Sequence, residues 1–133
     1  MTKILILALL VLILLVFGSL MNYKPATAEP TAIYKRITAE EAFEMMQHAQ
    51  VIIIDVRTRA EFESGHIQGA INIPNEDIGT EPLQELVGFD TTLLIYCRSG
   101  ARSAQAANKL LRIGYSDVYD FGGVINWPYG LVR

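Results

Sequence analysis

Apolar and polar positions along this chain fall into blocks of different period, and each block predicts its own element. Ile4–Phe17 is an unbroken apolar run, prolonged by Gly18-Ser19-Leu20-Met21. A helix here is apolar on every face, unlike the striped helices that pack on a domain surface. Residues 22–32 are polar, small and proline-containing, the composition of a linker. Beyond them, short apolar runs and helical patterns take turns. Ile33–Ile37 predicts a strand. Thr38-Ala39-Glu40-Glu41 has the form of a capping box, with Thr38 as N-cap and Glu41 three residues on, opening a helix to about His48. Val51–Val56 is a short run rich in β-branched residues, as expected of a strand buried on both faces.

The alternation continues. Ala60–Glu63 predicts one helical turn ended by Gly65, Ala70–Ile73 a strand stopped by Pro74, and Glu81–Val87 a short helix ended by Gly88. Thr92–Tyr96 predicts a second buried strand. Ser103–Ile113 predicts an amphipathic helix with Ala106, Leu110 and Ile113 on one face. Lys109 and Arg112 lie in its last turns and Gly114 is its stop signal. Asp117–Tyr119 predicts a final strand. Strands alternating with helices predict an α/β domain over residues 33–133, a central, mainly parallel sheet flanked by helices. Strand order is left free by this pattern.

Length changes the picture only by setting a bound: 133 residues hold one domain, with enough chain beyond the N-terminal segment to bury a core without disulfide staples. Charge changes it more. All 14 acidic residues lie at or beyond Glu29, whereas Lys3 and Lys24 precede it, so nine basic residues face 14 acidic ones and leave a net charge of −5. An acidic domain argues against nucleic acid or an anionic membrane surface as partner. The positive amine and Lys3 ahead of the apolar run predict export. Residues 1–21 serve either as a signal peptide, with Ala26-Thr27-Ala28 as its small-x-small cleavage site, or as a transmembrane anchor, since Ile4–Met21 would span about 27 Å as a helix. Either way the domain is expected in the periplasm or on the outer face of the inner membrane.

Chemistry enters with the single cysteine. A lone thiol in an exported domain of this size cannot be half of an internal disulfide; it is either a small buried hydrophobe or a reactive group. Its surroundings favour the second. In Leu93-Leu94-Ile95-Tyr96-Cys97-Arg98-Ser99-Gly100-Ala101-Arg102-Ser103, a buried strand runs into a tight loop and then a helix start. Ligands of open α/β sheets bind beyond the carboxyl ends of the strands. A helix N-terminus there offers unpaired N–H groups and a positive dipole end. A thiol so placed has its pKa lowered towards neutral, and Arg98 and Arg102 add charge that suits a small anion. Gly100 permits a backbone conformation other residues resist. The chemistry implied is covalent catalysis, in which the Cys97 thiolate attacks the outer sulfur of a thiosulfate-like donor and passes it on to cyanide or a thiol.

Four segments carry a resemblance. They are Ile54-Asp55-Val56-Arg57-Thr58-Arg59-Ala60-Glu61-Phe62, Gly65-His66-Ile67-Gln68-Gly69-Ala70-Ile71-Asn72-Ile73-Pro74, the loop Cys97–Ser103, and Gly122-Gly123 with Trp127. In this order and spacing, from about Ile37 to Tyr129, they resemble the rhodanese family, specifically its small single-domain bacterial members. The resemblance implies a rhodanese-like, flavodoxin-related fold, a persulfide on Cys97, and a substrate loop of Arg98, Ser99, Gly100, Ala101, Arg102 and Ser103. It also implies that Asp55 and Arg57 hold the domain and its active-site region together. Phosphatase relatives have a loop one residue longer, Cys-x5-Arg; here the residue at that place is Ser103. The shorter loop keeps the sulfurtransferase pattern and leaves a pocket fitted to a sulfur atom.

Other residues have plainer readings. Asp55 and Arg57 end a buried strand beside the Cys97 loop and are expected to pair or to anchor backbone rather than act as base. His66, between Gly65 and Ile67, is expected to fix a turn by hydrogen bonds. Arg59 and Glu61 read as surface or local salt-bridge residues. Phe43, Met45 and Met46 read as a helix face, and Trp127 as core or rim packing. The sequence holds no cluster of His, Cys and carboxylates, so no metal site or other cofactor is expected. The competing reading for Cys97 is a non-enzymatic persulfide carrier or redox-signalling module for a protein partner.

Overall fold

A computed structural model describes residues 1–21 and 31–133 of the chain. The linker and cleavage-site expectations fall mainly on 22–30, outside the described residues. α1 (Thr2–Met21) carries the apolar run, and its side chains from Ile4 to Phe17 are exposed. Among the described residues no helix is long and apolar enough to cross a membrane.

The domain follows as β1 (Ile33–Arg36), α2 (Ala39–His48), β2 (Val51–Asp55), α3 (Arg59–Ser64), β3 (Ile71–Asn72), β4 (Thr92–Cys97), α4 (Ala101–Ile113) and β5 (Asp117–Gly123). Short 3-10 turns occupy Asn75–Asp77 and Val124–Asn126. The described strands form one five-stranded parallel sheet in the order β1-β5-β4-β2-β3. β2 and β4 pair in register from Val51 opposite Thr92 to Asp55 opposite Tyr96. The two short apolar runs thus occupy the interior of the sheet, where both faces are covered.

Side-chain alternation along β4 divides the core. Leu93, Ile95 and Cys97 face one layer with Ala106, Ala107 and Leu110 of α4, while Leu94 and Tyr96 face the other with Ala42 of α2 and Phe121. Cys97 therefore lies on the α4 side because it is two residues from Ile95. The expected cap is a closed box: Glu41 N–H donates to Thr38 Oγ1 and Thr38 N–H to Glu41; Thr58 and Glu61 form a second, unforeseen box on α3.

One expected element is absent. Glu81–Val87 forms only turns. Pro82 supplies no N–H and biases Glu81 away from helical backbone. The segment is instead tied to the core: the Leu83 N–H donates to the Tyr115 hydroxyl at 3.0 Å, and Leu86 is buried against the α4 layer. β5 also outruns expectation, continuing to Gly123 so that its end reaches the Cys97 loop.

Candidate active site

Cys97 is the last residue of β4 and is 1% exposed. Three residues on, Gly100 adopts φ +107° as N-cap of α4, a left-handed conformation that glycine takes without strain. Having no side chain, Gly100 caps nothing. Its own N–H donates to Cys97 Sγ at 3.0 Å. Ser103 closes the other side. With the thiol protonated, its hydroxyl donates to Gly100 O at 3.0 Å, with Gly122 O at 3.4 Å, and accepts from Sγ at 3.7 Å; once the thiol ionises, the hydroxyl proton can turn to the sulfur anion.

These contacts set the thiol's acidity. Burial pushes the Cys97 pKa up, but the N–H groups of Ser103, Gly100 and Ser99 and the Ser103 hydroxyl outweigh it, and the net shift is downward. A dry pocket lined with N–H donors stabilises a sulfur anion and, one atom further out, a persulfide anion.

The loop is held in shape from the end of β5 and the 3-10 turn that follows it. Ile125 N–H donates to Arg98 O at 3.3 Å, and a methyl group on Gly123 would stand 2.6 Å from Ser99 Cα and overlap the Arg98 carbonyl. The close approach of these two backbones explains why glycine ends β5. Of the remaining loop residues, Arg98, Ser99 and Ala101 are exposed, leaving an open approach to the buried sulfur.

Arg102 is placed differently from expectation. It donates to Glu61 through both Nη groups, at 2.7 and 2.9 Å, so the loop's second guanidinium is locally neutralised. The Glu61 carboxyl is held down at about 2, chiefly by the Arg102 hydrogen bonds. Glu61 is therefore more than a local surface group; its partner is in the Cys97 loop. The Thr58-x-x-Glu61 spacing was the available signal for where Glu61 points.

Asp55 and Arg57 form a buried ion pair with Nη2–Oδ2 at 2.6 Å, and the Arg57 guanidinium also donates to Gly65 O at 2.7 Å. Tyr96, one residue before Cys97, lies under that guanidinium, 5.7 Å from ring centroid to Cζ, and its hydroxyl accepts from Ile67 N–H at 3.1 Å. The pair thus fixes the end of β2 against the end of β4. His66 stacks on Phe62 at 3.8 Å, its Nδ1 lies 3.0 Å from Phe62 O, and its backbone pairs with Val132 in both directions. Among the described residues it makes no hydrogen bond to Cys97. Trp127 packs on Phe121 and Phe43 on Tyr129, away from the thiol. A groove of about 740 Å³ beside Phe43, Met46 and Val51 includes no residue of the Cys97 loop, so size alone does not locate the chemistry.

A parallel α/β sheet whose central strand ends in a thiol, set in backbone N–H donors at a helix start, defines a class of α/β proteins with an acidified cysteine at the mouth of the sheet. A model of the Rhodanese-like domain family matches residues 38–127. The thiosulfate sulfurtransferase GlpE of Haemophilus influenzae is 33% identical over 95 residues, covering 71% of this chain and 88% of that protein. A rhodanese-related protein from Thermoplasma volcanium superposes with a TM-score of 0.63 at 28% identity, covering 74% of this chain and 98% of its own. A rhodanese from E. coli, solved with anions, superposes with a TM-score of 0.56 at 34% identity, covering 62% and 96%. The chain belongs to the rhodanese-like domain family, and within it is a rhodanese-like sulfurtransferase.

Proposed function

We propose that this enzyme takes the outer sulfur of thiosulfate, or a similar sulfane donor, onto Cys97 and delivers it to cyanide or a thiol. The observation that carries this reading is the 3.0 Å hydrogen bond from Gly100 N–H to Cys97 Sγ at the start of α4. In the first step the thiolate attacks the outer sulfur. A new S–S bond forms, the S–S bond of thiosulfate breaks, and its electron pair leaves with sulfite. Cys97 is left as a persulfide anion. In the second step cyanide attacks the outer sulfur, and thiocyanate departs as the thiolate returns; a thiolate acceptor gives the corresponding persulfide. No oxidant or proton is needed in either half, because the nucleophile is already an anion.

The donor is supported by the GlpE relative, named as a thiosulfate sulfurtransferase, and by the anion-bearing rhodanese. Placement supports the following roles. Cys97 is the nucleophile; the N–H groups of Ser99, Gly100 and Ser103 hold its anion; Arg98, Ala101 and Arg102 border the approach. Asp55, Arg57 and His66 support the frame.

The test is thiocyanate production from thiosulfate and cyanide, together with the intact mass of the protein after thiosulfate alone. A gain of about 32 Da, one sulfur atom carried covalently, and loss of both signals in Cys97→Ser are expected. No gain with any sulfane donor overturns the reading. A mass gain without thiocyanate points to a protein acceptor for the persulfide.

Export is part of the same proposal. The positive amine and Lys3 before the apolar run support translocation of the domain, leaving it periplasmic or anchored at the outer face of the inner membrane. Protease shaving of spheroplasts that fails to reach the domain overturns it, and the mass of the recovered protein reports cleavage.

A further inference from the structure

With Arg102 bound to Glu61, one of the loop's two expected anion contacts is already taken. A third guanidinium stands beside the same loop. Arg36 ends the edge strand β1, opposite Asp120 of β5. Its Nη2 lies 2.9 Å from where a methyl group on Gly100 would sit and 3.8 Å from where one on Gly122 would sit. Gly100 is the residue whose N–H donates to Cys97 Sγ. One glycine thus touches the sulfur with its amide and the Arg36 guanidinium with its Cα side. Both Gly100 and Gly122 have positive φ, +107° and +86°, and their lack of side chains is what lets a long arginine lie over the end of β5.

The charge of Arg36 is not spent elsewhere. Arg36 is exposed, and among the described residues it has no carboxylate within ion-pair distance. The nearest candidate by register, Asp120, is fully buried; its Oδ1 accepts from Gly122 N–H at 2.9 Å and its Oδ2 from the Tyr34 hydroxyl at 3.4 Å. Two other acidic groups act on the loop: Glu61, which is paired with Arg102, and Glu76, whose charge also reaches Arg102.

We propose that Arg36 is a positioning residue for the anionic end of the sulfur donor, and that Arg36 and the exposed Arg98, rather than Arg102, carry the free positive charge at the mouth of the site. This rests on the sulfurtransferase reading above. In-line attack puts the departing sulfite beyond the transferred sulfur, on the solvent side of the amide cradle, where a reaching guanidinium can pair with sulfonate oxygens. The role is electrostatic, so it extends to any small anion that approaches Cys97.

That extension supplies the test. Alkylation of Cys97 by anionic iodoacetate and by neutral iodoacetamide, at a pH where the thiol is fully ionised, isolates the local potential from turnover. Arg36→Ala is expected to slow iodoacetate about three- to tenfold, the effect of one charge several ångströms away at a partly solvated site, and to leave iodoacetamide within about twofold. Arg36→Lys restores most of the iodoacetate rate. In thiosulfate turnover, Arg36→Ala raises KM about fivefold with kcat nearly unchanged, as loss of ground-state binding does. Equal slowing of the two reagents, or no change in their ratio, overturns the proposal. Absence of thiosulfate turnover in the unsubstituted enzyme overturns the donor assignment instead, and the alkylation ratio still judges Arg36.

Discussion

Arg102 and Glu61 meet across 41 positions of sequence, joined by two hydrogen bonds of 2.7 and 2.9 Å. The same Glu61 carboxylate accepts from Thr58 N–H at 3.0 Å, so it caps α3 while it grips the first turn of α4. One side chain therefore couples the loop after β2 to the loop after β4. Both partners are about 30% exposed, which limits what the pair contributes.

The Glu61 carboxyl, at about 2, gives a pH signature. A carboxylate whose folded pKa lies below its unfolded value stabilises the native state above the unfolded value and loses that contribution as pH falls through the folded one. Glu61→Gln should therefore lower stability by about 1 kcal/mol at pH 7, the solvent-screened worth of such a pair. The difference from the unsubstituted protein should shrink as pH falls from about 5 towards about 2. Urea unfolding of both proteins across that range measures it, and a pH-independent difference contradicts the assignment.

The thiol should titrate below the ordinary cysteine value. The rate of iodoacetamide alkylation against pH reports the thiolate directly, and its midpoint is expected below that of a free cysteine. Ser103→Ala removes the hydroxyl 3.7 Å from Sγ and is expected to move the midpoint upward. The same change removes the donor to Gly100 O, and stability should fall by about 1 kcal/mol. A midpoint that does not move assigns the acidity to the backbone N–H groups alone.

Much of this domain is legible from pattern because its strongest signals are local. The apolar runs of β2 and β4, the Thr38–Glu41 box and the strand-loop-helix around Cys97 need only neighbours in sequence, and each forms as expected. Glu81–Val87 fails because Tyr115, far along the chain, captures Leu83 and Pro82 blocks the competing helix. Arg36 and the Glu61–Arg102 pair are set by strand order: β1 lies beside β5, and β2 beside β4, only once the sheet is assembled. Charge counting near Cys97 found two arginines; the fold neutralises one and brings a third.

Gly123→Ala tests how closely β5 must approach the loop. The added carbon would sit 2.6 Å from Ser99 Cα and against the Arg98 carbonyl, backbone atoms that cannot swing aside as a side chain would. The loop must shift, and the N–H donors shift with it. Overpacking of this kind costs about 1–3 kcal/mol in stability, and misplacement of the donors by about 1 Å can lower turnover on the order of a hundredfold. Thermal unfolding and thiocyanate production measure the two effects. Full activity would mean that the cradle tolerates displacement.

Asp55 separates support from catalysis. It is fully buried, and its carboxylate accepts from Arg57 through Nε, Nη2 and the main-chain N–H, while its own carbonyl accepts from Asn72 Nδ2 at 3.0 Å. Removing it in Asp55→Ala leaves the Arg57 guanidinium, 5% exposed, with Gly65 O as its remaining hydrogen-bond acceptor among the described residues. An uncompensated buried charge destabilises by about 3–5 kcal/mol, so the variant should melt well below the parent or be recovered poorly. Asp55→Asn keeps the shape and one acceptor oxygen and should lose less. A catalytic base would behave otherwise: Asp55→Asn would fold with parental stability and turn over at a small fraction of the parental rate across all pH. Arg57 holds the Asp55 carboxylate from three donors, and Cys97 is served by its own N–H groups. The expected outcome is therefore a folded Asp55→Asn enzyme with reduced stability and a thiocyanate rate within about tenfold of the parent, the small loss expected when a support shifts rather than a reacting group disappears.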